Sequence, residues 1–181
     1  MTQQTTKDWE QFFNPEEIKQ HLIEASLFLS FFEILNNEII ERIFNFYSPF
    51  VVDGKRIPSD EYKKQIIGRK IYGKNNNNVN IFLSSCQWLV DQKAISQEEY
   101  DLIAKIKDHR NQIAHDLTKF LFDSNYLIDK DLFSQIKTIT LKIEKWWAAQ
   151  PDKKRKTAED SMPGQKLILD CIFDVATSTT H

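Results

Sequence analysis

Lys105-Ile-Lys-Asp-His-Arg-Asn-Gln-Ile-Ala-His-Asp-Leu117 decides how the rest of this chain is read. On an ideal helix, Ile103, Ile106, Arg110, Ile113 and Leu117 fall on one stripe at spacings of three and four. Arg110 therefore takes a place where an aliphatic side chain is expected. Lys107, Asn111 and His115 make a second stripe beside it at i, i+4 spacing. A guanidinium set into an apolar seam is costly unless an anion or a carboxylate meets it. The internal carboxylate that suggests itself is Glu33, which interrupts the apolar stretch Ala25 to Leu35. An Arg110–Glu33 pair tying two helices together is the structural reading of this stretch, and the functional one is developed below.

The composition surrounding this helix is that of a single globular domain. The chain has 181 residues, 41% hydrophobic and 28% charged, enough to bury one core. Four Gly and five Pro favour long helices with few tight turns. A formal net charge of −2 provides no global field to gather nucleic acid or anionic membrane, so any nucleic-acid contact is local. That argues against a nonspecific DNA-coating role and leaves room for an enzyme acting on RNA. Cys86 and Cys171 are too few and too isolated for a disulfide framework or a thiolate zinc site, and each reads as a small buried apolar residue. Met1 to Trp9 lacks the basic and apolar regions of a secretory signal, and no apolar run reaches the ~18 residues of a membrane span. The expectation is a cytoplasmic protein with no membrane contact.

In chain order, residues 1–14 are a polar leader. Its last residue, Asn14, caps a helix with Pro15 in its first turn and Glu16 and Glu17 behind it. This helix runs to about Tyr47 and is apolar almost all round in its middle, the mark of a central element. A connector follows with a turn at Asp53-Gly54, where Val51-Val52 and Arg56-Ile57 can pair as a minimal hairpin. Pro58-Ser59-Asp60-Glu61 starts a helix reaching about Tyr72, and four asparagines then form a loop and helix cap before a helix over about 79–93. Ser96 and Glu99 form a capping box for the helix carrying the opening stretch, which meets no Gly or Pro before Phe122. A last helix spans about 131–149. Residues 150–181 are an appendage: a basic linker containing Lys153 to Lys156, then a docking segment, Lys166 to Val175, read as a short helix. The fold class is all-α, with a helical bundle over residues 15–149.

A charged Arg, an Asn and a titratable His on one helix suit a phosphodiester. Histidine exchanges protons near neutral pH, and arginine neutralises charge developing on phosphoryl oxygens. The two suffice, without a metal or other cofactor, for attack of a ribose 2′-hydroxyl on the adjacent phosphorus. No metal-ligand spacing of His, Cys and carboxylates competes with this. Five residues put Arg110 and His115 roughly 140° apart around a regular helix. A site using both lies at a seam, most naturally where a second copy packs. Lys107 and His109 are candidates to contact substrate, with a solvated surface as the plainer account of each.

Arg110-Asn111-Gln112-Ile113-Ala114-His115 resembles the Arg-polar-x-x-x-His motif of the HEPN superfamily, approached by a short loop and a capped acidic helix start as in that family. The resemblance covers about residues 15–149. It implies an antiparallel helical bundle that dimerises, with the two motifs facing each other in a composite active site. It also implies a metal-independent endoribonuclease of toxin or antiviral-defence type that leaves a 2′,3′-cyclic phosphate, with an antitoxin or defence-system protein as partner. By the same resemblance Arg110 and His115 are catalytic and Asn111 orients His115 or the phosphate; the helix pattern, not the resemblance, offers Glu33 as a supporting residue for Arg110. Toxins of the family that are paired with small nucleotidyltransferases carry a Tyr two residues after the motif His. Leu117 stands there, so modification at that place is not implied. The alternative is a non-catalytic HEPN-like dimer acting as a regulatory or protein-binding module. A DNA-binding repressor fares worst, since neither a basic recognition helix nor a positive face is present.

Overall fold

A computed structural model describes residues 14–48, 51–72, 78–123, 126–150 and Cys171. The expectations for the leader before Asn14, and for the appendage beyond Gln150 apart from Cys171, lie outside the described residues. Within them the regular elements are helices and one small hairpin, with an isolated antiparallel bridge between Tyr72 and Val79. Among the described residues no helix is long and apolar enough to cross a membrane.

Helix α1 (Pro15–Tyr47) is the central element. The Asn14 side-chain oxygen accepts the Glu16 amide at 3.2 Å, satisfying one of the donors a helix start leaves open. Phe28, Phe31, Leu35, Ile39 and Ile43 along it are fully buried, and α1 touches every other α-helix of the described chain. Each such side chain contributes about 1.5–3 kcal/mol of burial, so coverage on several sides accounts for the length of this helix. At its end the buried hydroxyl of Ser48 accepts the Ser59 amide at 2.8 Å, tying α1 to the segment that follows.

Strands β1 (Val51–Val52) and β2 (Lys55–Arg56) pair antiparallel, Val51 with Arg56 and Val52 with Lys55. Asp53 and Gly54 carry φ of 50° and 72°, the two left-handed residues that a tight two-residue hairpin demands. This register ends one residue earlier than the predicted pairing, leaving Ile57 outside and exposed. Helix α2 (Asp60–Gln65) is shorter than the stretch to Tyr72 predicted from sequence. A single 3₁₀ turn over Ile67–Arg69 replaces its second half, and Lys70 at φ 53° closes it. This tightening accompanies full burial of Ile66 and pairing of Arg69 with Asp91.

Helix α3 (Ile81–Asp91) is capped by Asn80, whose side chain accepts the Leu83 amide at 3.1 Å. Cys86 on it is fully buried and serves as a small apolar residue, with burial pushing its thiol pKa up. Helix α4 (Gln97–His115) opens with the predicted capping box. It stops earlier than the break-free sequence suggests. Asp116, at φ −118° and ψ 30°, interrupts it, and α5 (Leu117–Phe122) begins anew. The change of direction goes with burial of Phe120 at 4% exposure. Helix α6 (Lys130–Ala148) starts from Asp129, whose carboxylate accepts the amides of Asp131 and Leu132.

Contacts along the helices fix their relative direction. Phe28 and Phe31 pack on Phe133, and Phe46 packs on Trp147, so α1 and α6 run parallel. Lys142 pairs with Glu99, while His109 meets the start of α6 at Asp129, so α4 runs against α6 and hence against α1. This brings the C-terminal half of α4 alongside the N-terminal half of α1.

Candidate active site

Ile103, Ile106 and Ile113 point fully into the core, as the stripe predicts. Arg110 sits on the same seam but at its edge, with 33% of its side chain exposed. Its Nη2 donates to Glu33 Oε1 at 2.9 Å, closing an ion pair between α4 and α1. Its Nη1 donates to Asn111 Oδ1 at 3.4 Å, and its Cζ lies 5.5 Å from the centre of the Phe32 ring. Nε–H is buried without a hydrogen-bond partner. The guanidinium is thus held by a carboxylate, an amide oxygen and an aromatic face while one side remains open to solvent.

Glu33 was the carboxylate singled out in the sequence, and Asn111 the polar neighbour. The structure joins both to Arg110. Asn111 engages the arginine rather than His115. Phe32 was missed, although an aromatic next to the one acid in an apolar stretch is a signal for a seated guanidinium. A second acid–base pair was also missed: Glu38, 4% exposed, takes Arg42 Nε at 2.7 Å across one turn of α1. Glu and Arg four apart in the sequence carried that signal.

His115 is the last residue of α4 and is exposed. Among the described residues it has neither a hydrogen bond nor an ion pair. Both ring nitrogens are therefore available, as a proton-transfer group requires. It stands on the Asn111 side of α4, and Ala114 between it and Arg110 is also exposed, so no large side chain fills the space there. Lys107, half-buried, belongs to the same sector of the helix.

His109 departs from the solvated surface residue expected. It is half-buried, its Nε2 accepts the Asp129 amide at 3.1 Å, and its ring meets Phe28 and Phe120 edge-on at 5.0 and 5.8 Å. Burial pushes its pKa below the ordinary value, outweighing the Gln112 hydrogen bond and the Asp129 charge that pull it up, with Lys105 adding to the depression. A ring so occupied joins α4, α1, α5 and the start of α6. Among the described residues no three His, Cys, Asp or Glu side chains form a metal-ligating group. No protein-family model matches this chain, and neither a curated protein nor a solved structure matches it.

Proposed function

We propose that this chain is a HEPN-type, metal-independent endoribonuclease, an RNA-cleaving toxin or anti-phage defence effector. The observation that carries the reading is the contrast within one helix: Arg110 is held in place at the surface, while His115, at the end of the same helix, is exposed and unengaged. In the proposed reaction a ribose 2′-oxygen attacks the adjacent phosphorus and the bond to the 5′-oxygen breaks. The products are a 2′,3′-cyclic phosphate and a 5′-hydroxyl. His115 takes the proton of the 2′-hydroxyl while water protonates the departing 5′-oxygen, or His115 supplies the 5′-oxygen while water takes the first proton, and Arg110 stabilises charge gathering on the phosphoryl oxygens. The separation of roughly 140° around α4 calls for a homodimer, in which the Arg110 and His115 sides of two helices share one composite cleft. Lys107 borders that cleft and suits a flanking phosphate. An antitoxin or activating protein is the partner this role implies.

The Arg110–Glu33 pair specifically favours a second reading, a non-catalytic helical dimer that binds another protein. One comparison separates the two. Wild type, Arg110→Ala and His115→Ala are incubated with total RNA in EDTA and the product ends are mapped. The nuclease reading requires 2′,3′-cyclic phosphate ends from wild type, lost in both folded variants. A folded wild type that cuts nothing leaves the binding module as the better account, and cutting abolished by EDTA removes the metal-independent mechanism.

A further inference from the structure

The Arg110–Glu33 ion pair is poorly explained by stability. Its partners are 33% and 49% exposed, a setting in which such pairs add little. Position 110 continues a seam held by Ile103, Ile106 and Ile113, where an aliphatic residue would pack without needing a counter-charge. What the arrangement does achieve is immobilisation. Glu33 takes one N–H of Nη2, Asn111 takes one of Nη1, and the Phe32 ring faces the Cζ. Each terminal nitrogen carries two N–H groups, so one on each remains for an oxyanion.

We infer that Glu33 is the positioning residue of this site: its carboxylate fixes the pose of the Arg110 guanidinium, so that the two remaining Nη donors meet the phosphoryl oxygens of an RNA phosphodiester. The inference rests on the nuclease reading above. Glu33 acts through Arg110 and does not touch substrate. An unheld arginine samples many rotamers, and a misplacement of about 1 Å at a reacting centre costs on the order of 100-fold in rate. The carboxylate also has a smaller, opposite effect, because its charge repels the approaching phosphate. Neutralising it loosens the pose and removes that repulsion. Turnover therefore falls while KM stays level or drops, a split that a simple tie between helices does not produce.

The test compares full-length wild type, Glu33→Gln, Glu33→Asp and Glu33→Ala in steady-state cleavage of a fluorescent oligoribonucleotide, with NMR of the Arg110 side-chain nitrogens in parallel. Glu33→Gln keeps the shape of the side chain should Glu33→Ala fail to fold. The expected result is a kcat lowered about 10- to 100-fold in the Gln and Ala variants, partial recovery in Asp, and no rise in KM. Hindered rotation of the guanidinium in wild type is lost in Glu33→Gln. If wild type cuts RNA and Glu33→Gln has the same kcat, the positioning role is overturned and the nuclease reading stands. If wild type cuts no RNA, the nuclease reading fails and the positioning role toward RNA falls with it, and the NMR arm then shows only whether Glu33 restrains the guanidinium as a structural tie.

Discussion

His109 and His115 stand on the same helix, and the fold treats them oppositely. His109 is wedged between Phe28 and Phe120 with Nε2 committed to the Asp129 amide, while His115 ends the helix exposed. The first imidazole has its chemistry consumed by structure: its lone pair is occupied and its burial disfavours the charged form. The second retains both nitrogens. Arg110 lies between these extremes, with part of its donor set spent on Glu33 and Asn111 and part left over. The lesson is that chemical competence is read from what a group has left after folding, not from its residue type.

The largest effect that sharpens this contrast is on activity. On the proposed nuclease reading, removing an active proton-transfer group or a transition-state clamp typically costs 10²–10⁴-fold, so His115→Ala and Arg110→Ala should each lower RNA cleavage by about that much. His115→Ala should leave the thermal midpoint nearly unchanged, because the side chain is exposed and makes no hydrogen bond or ion pair among the described residues. A large drop in melting temperature for His115→Ala would break the contrast.

Next comes stability at the other histidine. His109→Ala removes a half-buried ring and strands the Asp129 amide, and should cost about 2 kcal/mol in chemical denaturation. A variant as stable as wild type would show that the joint between α4 and the start of α6 does not depend on this ring. The same residue sets a smaller pH effect. Its pKa in the folded state lies below the ordinary value of 6.5. The unfolded chain therefore binds the proton first, and the contribution of neutral His109 is fully present above that value and lost as pH falls through it. Denaturation midpoints measured from pH 7.5 downward should show this slope in wild type and not in His109→Gln, with about pH 6.5 as its upper edge.

The contrast between the two histidines was not legible from the sequence, and the reason is physical. Helical spacing identifies the core face of α4, and capping residues mark the starts of α1, α3 and α4, because both are local properties of the chain. The ion pair was half-legible, since a carboxylate inside an apolar stretch has to be met by something and Arg110 was the odd residue in the opposite seam. His109 could not be placed, because its burial depends on the direction of α5 and the loop behind it. That direction is set by the interruption at Asp116, a residue with neither the backbone freedom of glycine nor the constraint of proline to announce a break. The end of α2 was missed for a similar reason: tertiary burial of Ile66 and the Arg69–Asp91 pair outweigh a helical pattern that continued locally.

The smallest expected effect is the most informative about Arg110. Replacing it with Met fills an aliphatic seam with an aliphatic side chain of similar length and removes one partner of a partly exposed ion pair. Glu33, at 49% exposure, turns to solvent at little cost. Pairs in such settings are worth about 0–1 kcal/mol, so the stability of Arg110→Met should stay within about 1 kcal/mol of wild type, in either direction. A loss well beyond this would mean that Arg110 is chiefly a structural tie between α1 and α4, and would place it with His109. Unchanged stability combined with lost cleavage would place it with His115, as a residue held in an energetically indifferent position because its charge is needed there.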